Sequence, residues 1–301
     1  MKAKIFNSLD TYAFTRWVLK WIAGSSLPPH WFYSRIPPKE ERTKKAGKLT
    51  IEIVSHCWQY SRLLSYQLSS LLQHPVSQAT IIMTVFYSEE DTATTNLLAF
   101  FSKKQPNNIV WNFQPIDTPL LFRRSIGRNM AARESSADWV WFTDCDMTFQ
   151  ENCLDSLANA LQNRDDALVH PKIESKTEIY TNDDLVINNS LAEPQLMLVE
   201  SDRFIPHEIT RATGPLQITH GDVARSNGYC DDVECYQQPA NHFQKATEDR
   251  VFRWLLETQG VAIDVDGVCR IQHINKGRYK PNSKSSLIRR NVRRLQSFIR
   301  R

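Results

Sequence analysis

Between residues 49 and 171 the chain alternates short apolar runs with amphipathic stretches, and this alternation limits the folds that it can adopt. Five runs have the length and composition of strands: residues 49–54, 79–87, 108–113, 139–143 and 167–171. Apolar residues at helical spacing lie between them: residues 60–72, 91–101, 122–132 and 154–162. Strands that alternate with helices in this way predict an α/β fold with a doubly wound, mainly parallel sheet.

The fourth apolar run ends in two carboxylates. Residues 139–142 are apolar at every position, which is typical of a strand buried on both faces, and Asp144 and Asp146 follow directly. Ligands bind at the carboxyl ends of strands in such sheets, and side chains two residues apart on an extended chain point to the same side. Two carboxylates there suit Mg²⁺ or Mn²⁺. Because Asp-x-Asp also occurs in ordinary surface turns, the motif alone leaves both interpretations open.

The same residues also fit a phosphatase of the HAD type. An apolar strand followed by Asp144-x-Asp146-x-Thr148 matches the first motif of that family, with Asp144 as the nucleophile and Asp146 as an acid. That motif normally lies on the first strand, whereas three predicted strands precede it here. A glycine also usually follows soon after, and here none occurs before Gly214. Position in the chain therefore argues against the phosphatase.

Several other classes of protein are excluded by composition. The 301 residues include nine glycines, and neither Gly-x-Gly-x-x-Gly nor Gly-Lys-Ser/Thr occurs, which argues against a P-loop or a typical dinucleotide site. Six cysteines are scattered without a Cys-x-x-Cys pair, so neither zinc nor a redox pair is indicated. We find no secretory signal and no apolar run near the roughly 18 residues of a membrane span. A reducing cytoplasm is the expected location.

Two segments flank the regular pattern. Residues 1–48 contain Phe14, Trp17 and Trp21 on one face of a short helix, which predicts either a membrane-surface segment or packing on the domain. Residues 276–301 hold ten Lys or Arg and no acid, whereas the rest of the chain holds 27 basic and 33 acidic residues. Because the body is acidic and the tail is amphipathic, we expect the tail to bind an anionic membrane surface, and we do not expect nucleic-acid binding.

Four segments, in order, resemble the glycosyltransferases of the GT-A fold, family 2, over residues 49–275. Residues 51–58 resemble the opening strand, although Ser-His-Cys-Trp stands where the family usually has a Pro-Thr-Tyr-Asn type sequence. Arg124 with Gly127-Arg128-Asn129 resembles the Ala-Arg-Asn helix that precedes the metal motif. Asp144-Cys145-Asp146 stands at that motif, and Thr247-Glu248-Asp249 resembles the element that carries the catalytic base.

The resemblance implies a role for each of these residues. A nucleoside-diphosphate sugar, in particular a UDP-sugar, would be contacted by Ser55, His56, Arg124, Arg128 and Asp144. Mn²⁺ or Mg²⁺ would be held by Asp146 and His273. The general base would be Asp249, and the acceptor side would include Gly221, Asp222 and Glu248.

The expected organisation is a GT-A domain between the two flanking segments. Residues 49–150 would form the nucleotide-binding half and residues 151–275 the acceptor half, between an attachment at 1–48 and a tail at 276–301. The implied activity is inverting, metal-dependent transfer of a sugar to a hydroxyl of a glycan or lipid-linked saccharide, at the inner face of the cell membrane. The alternatives are a HAD-type phosphatase and a non-enzymatic protein that binds membrane or nucleic acid.

Overall fold

A computed structural model describes residues 12–181, 184–188, 193–243 and 247–274. Its strands are β1 (Leu49–His56), β2 (Ala79–Tyr87), β3 (Ile109–Pro115), β4 (Trp139–Phe142), β5 (Met147–Phe149), β6 (Leu168–Pro171), β7 (Ile173–Tyr180), β8 (Ile205–Glu208), β9 (Gln217–His220), β10 (Val261–Ile263) and β11 (Val268–His273). Its helices are α1 (Ala13–Ile22), α2 (Ser61–Gln73), α3 (Thr92–Ser102), α4 (Thr118–Leu121), α5 (Arg124–Glu134), α6 (Cys153–Ala160), α7 (Leu185–Asn188), α8 (Gly221–Asn227), α9 (Glu234–Gln237) and α10 (Glu248–Leu255).

The centre of the fold is a seven-stranded sheet in the order β10-β6-β9-β4-β1-β2-β3. The pairs β3–β2, β2–β1, β1–β4 and β6–β10 are parallel, and β9 is antiparallel to both of its neighbours. The sheet order reverses after β3, because the chain returns to place β4 on the other side of β1. The prediction of a doubly wound mixed sheet is therefore confirmed.

Alternating side chains of the central strands build a separate apolar core on each face. On β1, Ile51 and Ile53 point to the face covered by α2, α3 and α6, whereas Val54 points to the face covered by α5, α8 and α10. On β4, Trp141 lies in the first core and Phe142 in the second. Because both faces are covered, β4 is apolar at all four positions, as the sequence pattern predicted.

A second sheet, in the order β5-β11-β7-β8, adjoins the central one directly after the aspartate turn. Its strand β5 has three residues, and β7 carries several charged side chains and is buried only at Glu174, Thr177 and Tyr180. None of the strands β5, β7, β8, β9 and β11 was predicted from the sequence, because each is short or polar. Since β6, β9 and β10 extend the central sheet, both predicted halves, residues 49–150 and 151–275, contribute strands to it.

The segment before β1 packs on the domain through α1. Leu19 and Ala23 are buried in the same core as Val251 and Phe252 of α10. The predicted apolar face of this helix is thus divided, since Phe14 and Trp17 remain exposed. None of the described helices is both long and apolar enough to cross a bilayer. The predicted tail at 276–301 lies outside the described residues.

Candidate active site

The turn that carries Asp144 and Asp146 lies at the carboxyl end of β4, in the middle of the central sheet. The Thr143 backbone N–H donates to the Val54 carbonyl at 2.9 Å, which continues the pairing with β1 up to the turn. The Met147 N–H donates to the Asp144 carbonyl at 3.2 Å and closes the turn. The Asp144 side chain is 24% exposed, whereas Asp146 is buried. The two carboxylates therefore differ in their access to solvent.

Ser55 and Gln67 support this turn from the side of α2. The Ser55 hydroxyl donates to Gln67 Oε1 at 2.7 Å, and Gln67 Nε2 donates to the Asp144 carbonyl at 3.0 Å. Both side chains are fully buried. The geometry therefore gives Ser55 a structural role and does not support its predicted contact with a nucleotide. Gln67 was missed, and its one signal in the sequence is a polar residue between the leucines of α2.

Arg124, the first residue of α5, joins Asp144 to the first residue of α10. Its Nη1 donates to Asp144 Oδ1 at 2.7 Å, and its Nη2 donates to Glu248 Oε1 at 3.1 Å. Burial by itself disfavours the charged guanidinium, but the carboxylates of Asp144 and Glu248 outweigh it and raise the pKa of Arg124. Arg124 is therefore a fixed positive charge that connects three elements brought together by folding.

Arg128, one turn later on α5, is fully buried below Arg124. Its Nη1 donates to the Tyr229 hydroxyl at 2.8 Å, and its Nη2 donates to the carbonyls of Thr143 and Gly214, each at 3.2 Å. Its Nη2 also lies 3.5 Å from Asp144 Oδ1. Most hydrogen-bond partners of Arg128 are neutral. Its positive charge therefore interacts mainly with the nearby Asp144 carboxylate.

His56, the last residue of β1, packs on α5 between these arginines. Its ring stacks on Phe86 with a centroid distance of 5.1 Å, and Gly127 leaves the space that the ring occupies. A Cβ at residue 127 would lie 2.3 Å from His56 Nε2. Burial, together with Arg128 and Arg124, holds the pKa of His56 well below its usual value. His56 is therefore a neutral ring beside the cleft, the space bounded by the Asp144 turn and the first turns of α5 and α10.

The two acids that begin α10 have different surroundings. Glu248 is 2% exposed and is the partner of Arg124, whereas the Asp249 side chain is 34% exposed. Asp249 lies beside Gly214, and its Oδ2 is 3.6 Å from Arg253 Nη1. A base must reach an incoming hydroxyl. The exposed carboxylate of Asp249 suits that task, and Glu248 holds Arg124 in place.

The amino-terminal ends of α5 and α10 meet at this cleft, because their first residues are ion-paired. Each end carries the positive pole of a helix dipole, equivalent to about half an elementary charge, with backbone N–H groups directed outward. Arg124 and Arg128 add two guanidinium groups beside these ends, and the carboxylates of Asp144 and Glu248 pair with Arg124. Such an arrangement favours a ligand that carries negative charge on phosphate oxygens.

The donor atoms at the aspartate turn decide whether a divalent cation fits there. Asp144 and Asp146 supply hard carboxylate oxygens, which suit Mg²⁺ or Mn²⁺. Within the described residues no three His, Cys, Asp or Glu side chains form a group that could hold a metal, so His273 does not complete such a group with the two aspartates. His273 ends β11, where its ring lies beside Tyr60. A divalent cation fits here if the two aspartate carboxylates and the phosphates of a bound ligand hold it. The role of His273 as a further metal ligand stays a prediction.

The predicted acceptor residues Gly221 and Asp222 lie at the opposite edge of the sheet. Strand β9 runs antiparallel to β4, with Gln217 opposite Phe142 and His220 opposite Trp139. Residues that follow His220 are therefore near the amino end of β4, away from Asp144. Asp222 accepts from the Thr43 N–H and ion-pairs with Arg225 there. This placement contradicts a role on the acceptor side, which the sequence could not reveal because β9 was not predicted.

Arg270 of β11 is a further charged residue near the aspartate turn that sequence reasoning missed. Its backbone pairs with Met147, and its guanidinium ion-pairs with Glu174. Burial disfavours its charge, but Asp146, Glu174 and Asp144 outweigh burial and raise the pKa of Arg270. The second sheet therefore adds positive charge on the Asp146 side. A polar residue within the apolar alternation of β11 is the only signal that the sequence gives.

The chain is similar to known proteins in sequence and in fold. The sequence model of the family described as Glycosyl transferase family 2 matches residues 91–223, which include Arg124 and Asp144. This match confirms the resemblance predicted from the sequence and favours it over the HAD-type phosphatase. It ends before α10, so the role of Asp249 stays a prediction. No curated protein matches the sequence significantly.

Solved structures with a similar fold include a mannosyltransferase, PcManGT from Pyrobaculum calidifontis, in complex with GDP-Man and Mn²⁺. It is 16% identical with a TM-score of 0.45, over 97% of this chain and 73% of that one. TarS of S. aureus in complex with UDP is 14% identical with a TM-score of 0.46, over 74% of this chain and 60% of that one. TarS in complex with UDP-GlcNAc is 11% identical with the same TM-score, over 82% and 67%.

The family match covers α5 and the aspartate turn after β4, whereas His56 of β1 and all of α10 lie outside it. The central sheet has the mixed, doubly wound order that the resemblance implied. The chain is therefore a glycosyltransferase that resembles family 2 and has a GT-A type fold.

Proposed function

We propose that this enzyme is an inverting glycosyltransferase whose donor is a nucleoside-diphosphate sugar, with a UDP-sugar as the expected donor. One observation carries the proposal: Arg124 bridges Asp144 and Glu248, which places the aspartate turn, α5 and α10 around one cleft. The site combines the guanidinium groups of Arg124 and Arg128 with the partly exposed carboxylate of Asp249. Glycosyl transfer from a nucleoside-diphosphate sugar needs positive charge to stabilise the leaving diphosphate and a carboxylate to accept the proton of the acceptor hydroxyl.

The positive side of the cleft would stabilise the leaving group. As the bond between the sugar C1 and the diphosphate oxygen breaks, negative charge grows on the diphosphate. Arg124 and Arg128, together with the ends of α5 and α10, are already oriented and would favour that charge without reorganising. The Arg124 side chain is 23% exposed and can exchange part of its contact with Asp144 for a phosphate oxygen. The neutral ring of His56 adds no competing charge.

The acceptor hydroxyl would attack C1 from the face opposite the diphosphate, which inverts the configuration. Its oxygen forms the new bond to C1, and its proton passes to the Asp249 carboxylate as the diphosphate leaves. Asp249 lies in the first turn of α10, and its side chain is 34% exposed. Arg253, one turn further, holds the carboxylate from below at 3.6 Å.

A divalent cation would be held by Asp144 and Asp146. When bound, it would supply a Lewis acid that neutralises charge on the diphosphate. The chain's own contribution is to position the two carboxylates, through Gln67 on the backbone of Asp144 and through the Ile271 N–H, which donates to the Asp146 carbonyl at 2.9 Å. His273 remains a candidate for a further ligand.

For the acceptor we propose a hydroxyl of a glycan or a lipid-linked saccharide. The sequence of residues 276–301 supports a place at the inner face of the cell membrane, because ten basic residues without an acid attract anionic lipid at about 1 kcal/mol per charge near the surface. In this proposal the enzyme works in the cytoplasm, bound peripherally to that surface.

A panel of UDP- and GDP-sugars tests the proposed donor. Each is incubated with the full chain and Mn²⁺, and the release of nucleoside diphosphate is measured, while calorimetry with free UDP and GDP reports binding independently of an acceptor. We expect one nucleotide to bind and its sugar to be hydrolysed slowly. Failure of every nucleotide to bind, together with cleavage of a phosphomonoester, would instead favour the HAD-type phosphatase.

A further inference from the structure

Helix α1 presents an aromatic face to solvent. Phe14, Trp17 and Trp21 lie at positions i, i+3 and i+7, and their side chains are in contact along the helix, with ring centroids 6.0 and 6.1 Å apart. Their exposed fractions are 72%, 57% and 66%. Trp31 and Phe32, in the turn that follows, are exposed to a similar degree. Three large rings in one exposed row form a contiguous apolar patch, whereas exposed apolar residues on most protein surfaces are scattered singly.

The opposite side of α1 fixes this face rigidly to the domain. Leu19 and Ala23 are buried against α10, and the Trp254 indole N–H donates to the Leu27 carbonyl at 2.7 Å. His30 bonds Glu257 at 2.7 Å. The helix therefore has two apolar stripes, of which the aliphatic one is already used for packing. The aromatic stripe remains exposed.

Charge indicates which occupant suits this stripe. From residue 13 to residue 48 the chain holds eight Lys or Arg and two acids, Glu40 and Glu41, so this segment carries a net positive charge. The basic tail at 276–301 would be repelled by this segment, so it is a poor occupant. Trp and Phe rings beside Lys and Arg are suited to the boundary between lipid headgroups and acyl chains, where anionic lipids attract the cations.

We propose that Phe14, Trp17 and Trp21 insert into the surface of an anionic lipid bilayer and dock the enzyme there as a peripheral membrane protein. The free energy of this contact comes from burying the aromatic rings in lipid. It therefore adds to the attraction between the basic tail and anionic lipid, which depends on charge. It is also independent of the sugar-transfer chemistry.

Docking through α1 would fix the orientation of the cleft. Gly24 at the end of α1 lies against the Arg250 guanidinium, which leaves no room for a Cβ, and Arg250 Nε donates to the Ala23 carbonyl at 3.4 Å. Arg250 is the next residue after Asp249. Helix α1, with the proposed lipid contact, and α10, with the proposed base, therefore pack together as one rigid unit. This packing would hold the cleft at a constant height above the bilayer.

Co-sedimentation of the full chain with vesicles tests the proposal. We compare vesicles of phosphatidylcholine with vesicles of equal parts phosphatidylcholine and phosphatidylglycerol, at low and at high salt. The variant replaces Phe14, Trp17 and Trp21 by Ser, and the matched control replaces Val110 and Ile205, two exposed apolar residues on other elements, by Ser. We expect the aromatic variant to bind anionic vesicles at least about tenfold more weakly, above all at high salt where the tail contributes little. The control should bind like the parent.

Three results would overturn the proposal. The first is equal vesicle binding by the aromatic variant and the parent. The second is equal loss of binding in the Val110/Ile205 control. The third is a parent chain that sediments as a dimer in the ultracentrifuge and becomes a monomer only in the aromatic variant, which would assign the face to a second copy. Donor hydrolysis by the aromatic variant should equal that of the parent, so a failure here is distinguishable from a failure of the proposed transfer activity.

Discussion

Arg124 and Glu248 are the first residues of their helices, and their side chains meet with 3.1 Å between Nη2 and Oε1. They are 124 positions apart in the sequence, so only the folded chain makes this pair. The same guanidinium also holds Asp144 at 2.7 Å. One arginine thus connects the proposed metal turn with the helix that carries the proposed base, and this relationship makes the cleft a single unit.

Replacing Arg124 by Gln removes the charge and both ion pairs. We expect kcat/KM for the donor to fall by about 100-fold or more, because an oriented charge next to a leaving group is worth several kcal/mol. Steady-state kinetics with the donor identified by the panel measures the effect. Arg133→Gln is the matched control: this arginine also lies on α5, but it pairs with Asp231 at the surface. Similar losses in both variants would contradict the assigned role of Arg124.

Replacing Asp249 by Asn tests the proposed base. The amide keeps the shape but cannot accept a proton, so we expect kcat to fall by about 100- to 10,000-fold while calorimetric binding of the nucleoside diphosphate stays within a few-fold. Glu248→Gln is the comparison on the same helix. Because Glu248 is buried against Arg124, that change should weaken nucleotide binding and lower the melting temperature as well. Normal turnover by Asp249→Asn would transfer the role to another group.

Periodicity in the sequence was sufficient to predict the central strands and the helices between them, because buried strands and amphipathic helices leave strong patterns. The resemblance to a known family, together with the end of the fourth apolar run, singled out Arg124, Asp144 and Glu248 as separate candidates. It could not show that they form one ion-paired chain, since contacts over such separations depend on the tertiary fold. The error on Gly221 has the same origin: the direction of the short strand β9 decides which sheet edge that residue reaches.

Gly127→Ala tests the close contact between α5 and β1. The added Cβ would lie 2.3 Å from His56 Nε2 and 3.0 Å from the Phe86 ring, so the His56 ring must shift. We expect a loss of about 1–3 kcal/mol in stability, as found when a packed interior is overfilled. Thermal melting measures it. Gly214→Ala is the stability control, because its nearest neighbours are at ordinary contact distances. An unchanged melting temperature for Gly127→Ala would contradict the described packing.

His56 should make stability depend on pH. Its pKa in the folded state is well below the usual value, because of burial and of the charges on Arg128 and Arg124. The unfolded chain, with a histidine pKa of about 6.5, therefore binds the proton more readily. The stabilising contribution is complete above about pH 6.5 and is lost as the pH falls towards the folded-state pKa. In His56→Gln the urea midpoint should fall less between about pH 7 and about pH 5 than in the parent. An equal fall would contradict the assignment.

Metal binding by the aspartate turn can be measured without turnover. Free Mn²⁺ gives an electron paramagnetic resonance signal that disappears when the ion is bound. In the presence of the bound nucleoside diphosphate, Asp146→Asn and Asp144→Asn should each raise the apparent Kd for Mn²⁺ by about tenfold or more, because each removes a charged oxygen ligand. Asp264→Asn is the control, since that carboxylate is 92% exposed on another loop. His273→Gln decides the remaining prediction, because a ligand at residue 273 would give a similar loss. If neither aspartate variant changes Mn²⁺ binding, the carboxylates do not hold the ion, and stabilisation of the diphosphate rests on Arg124 and Arg128 with the two helix ends.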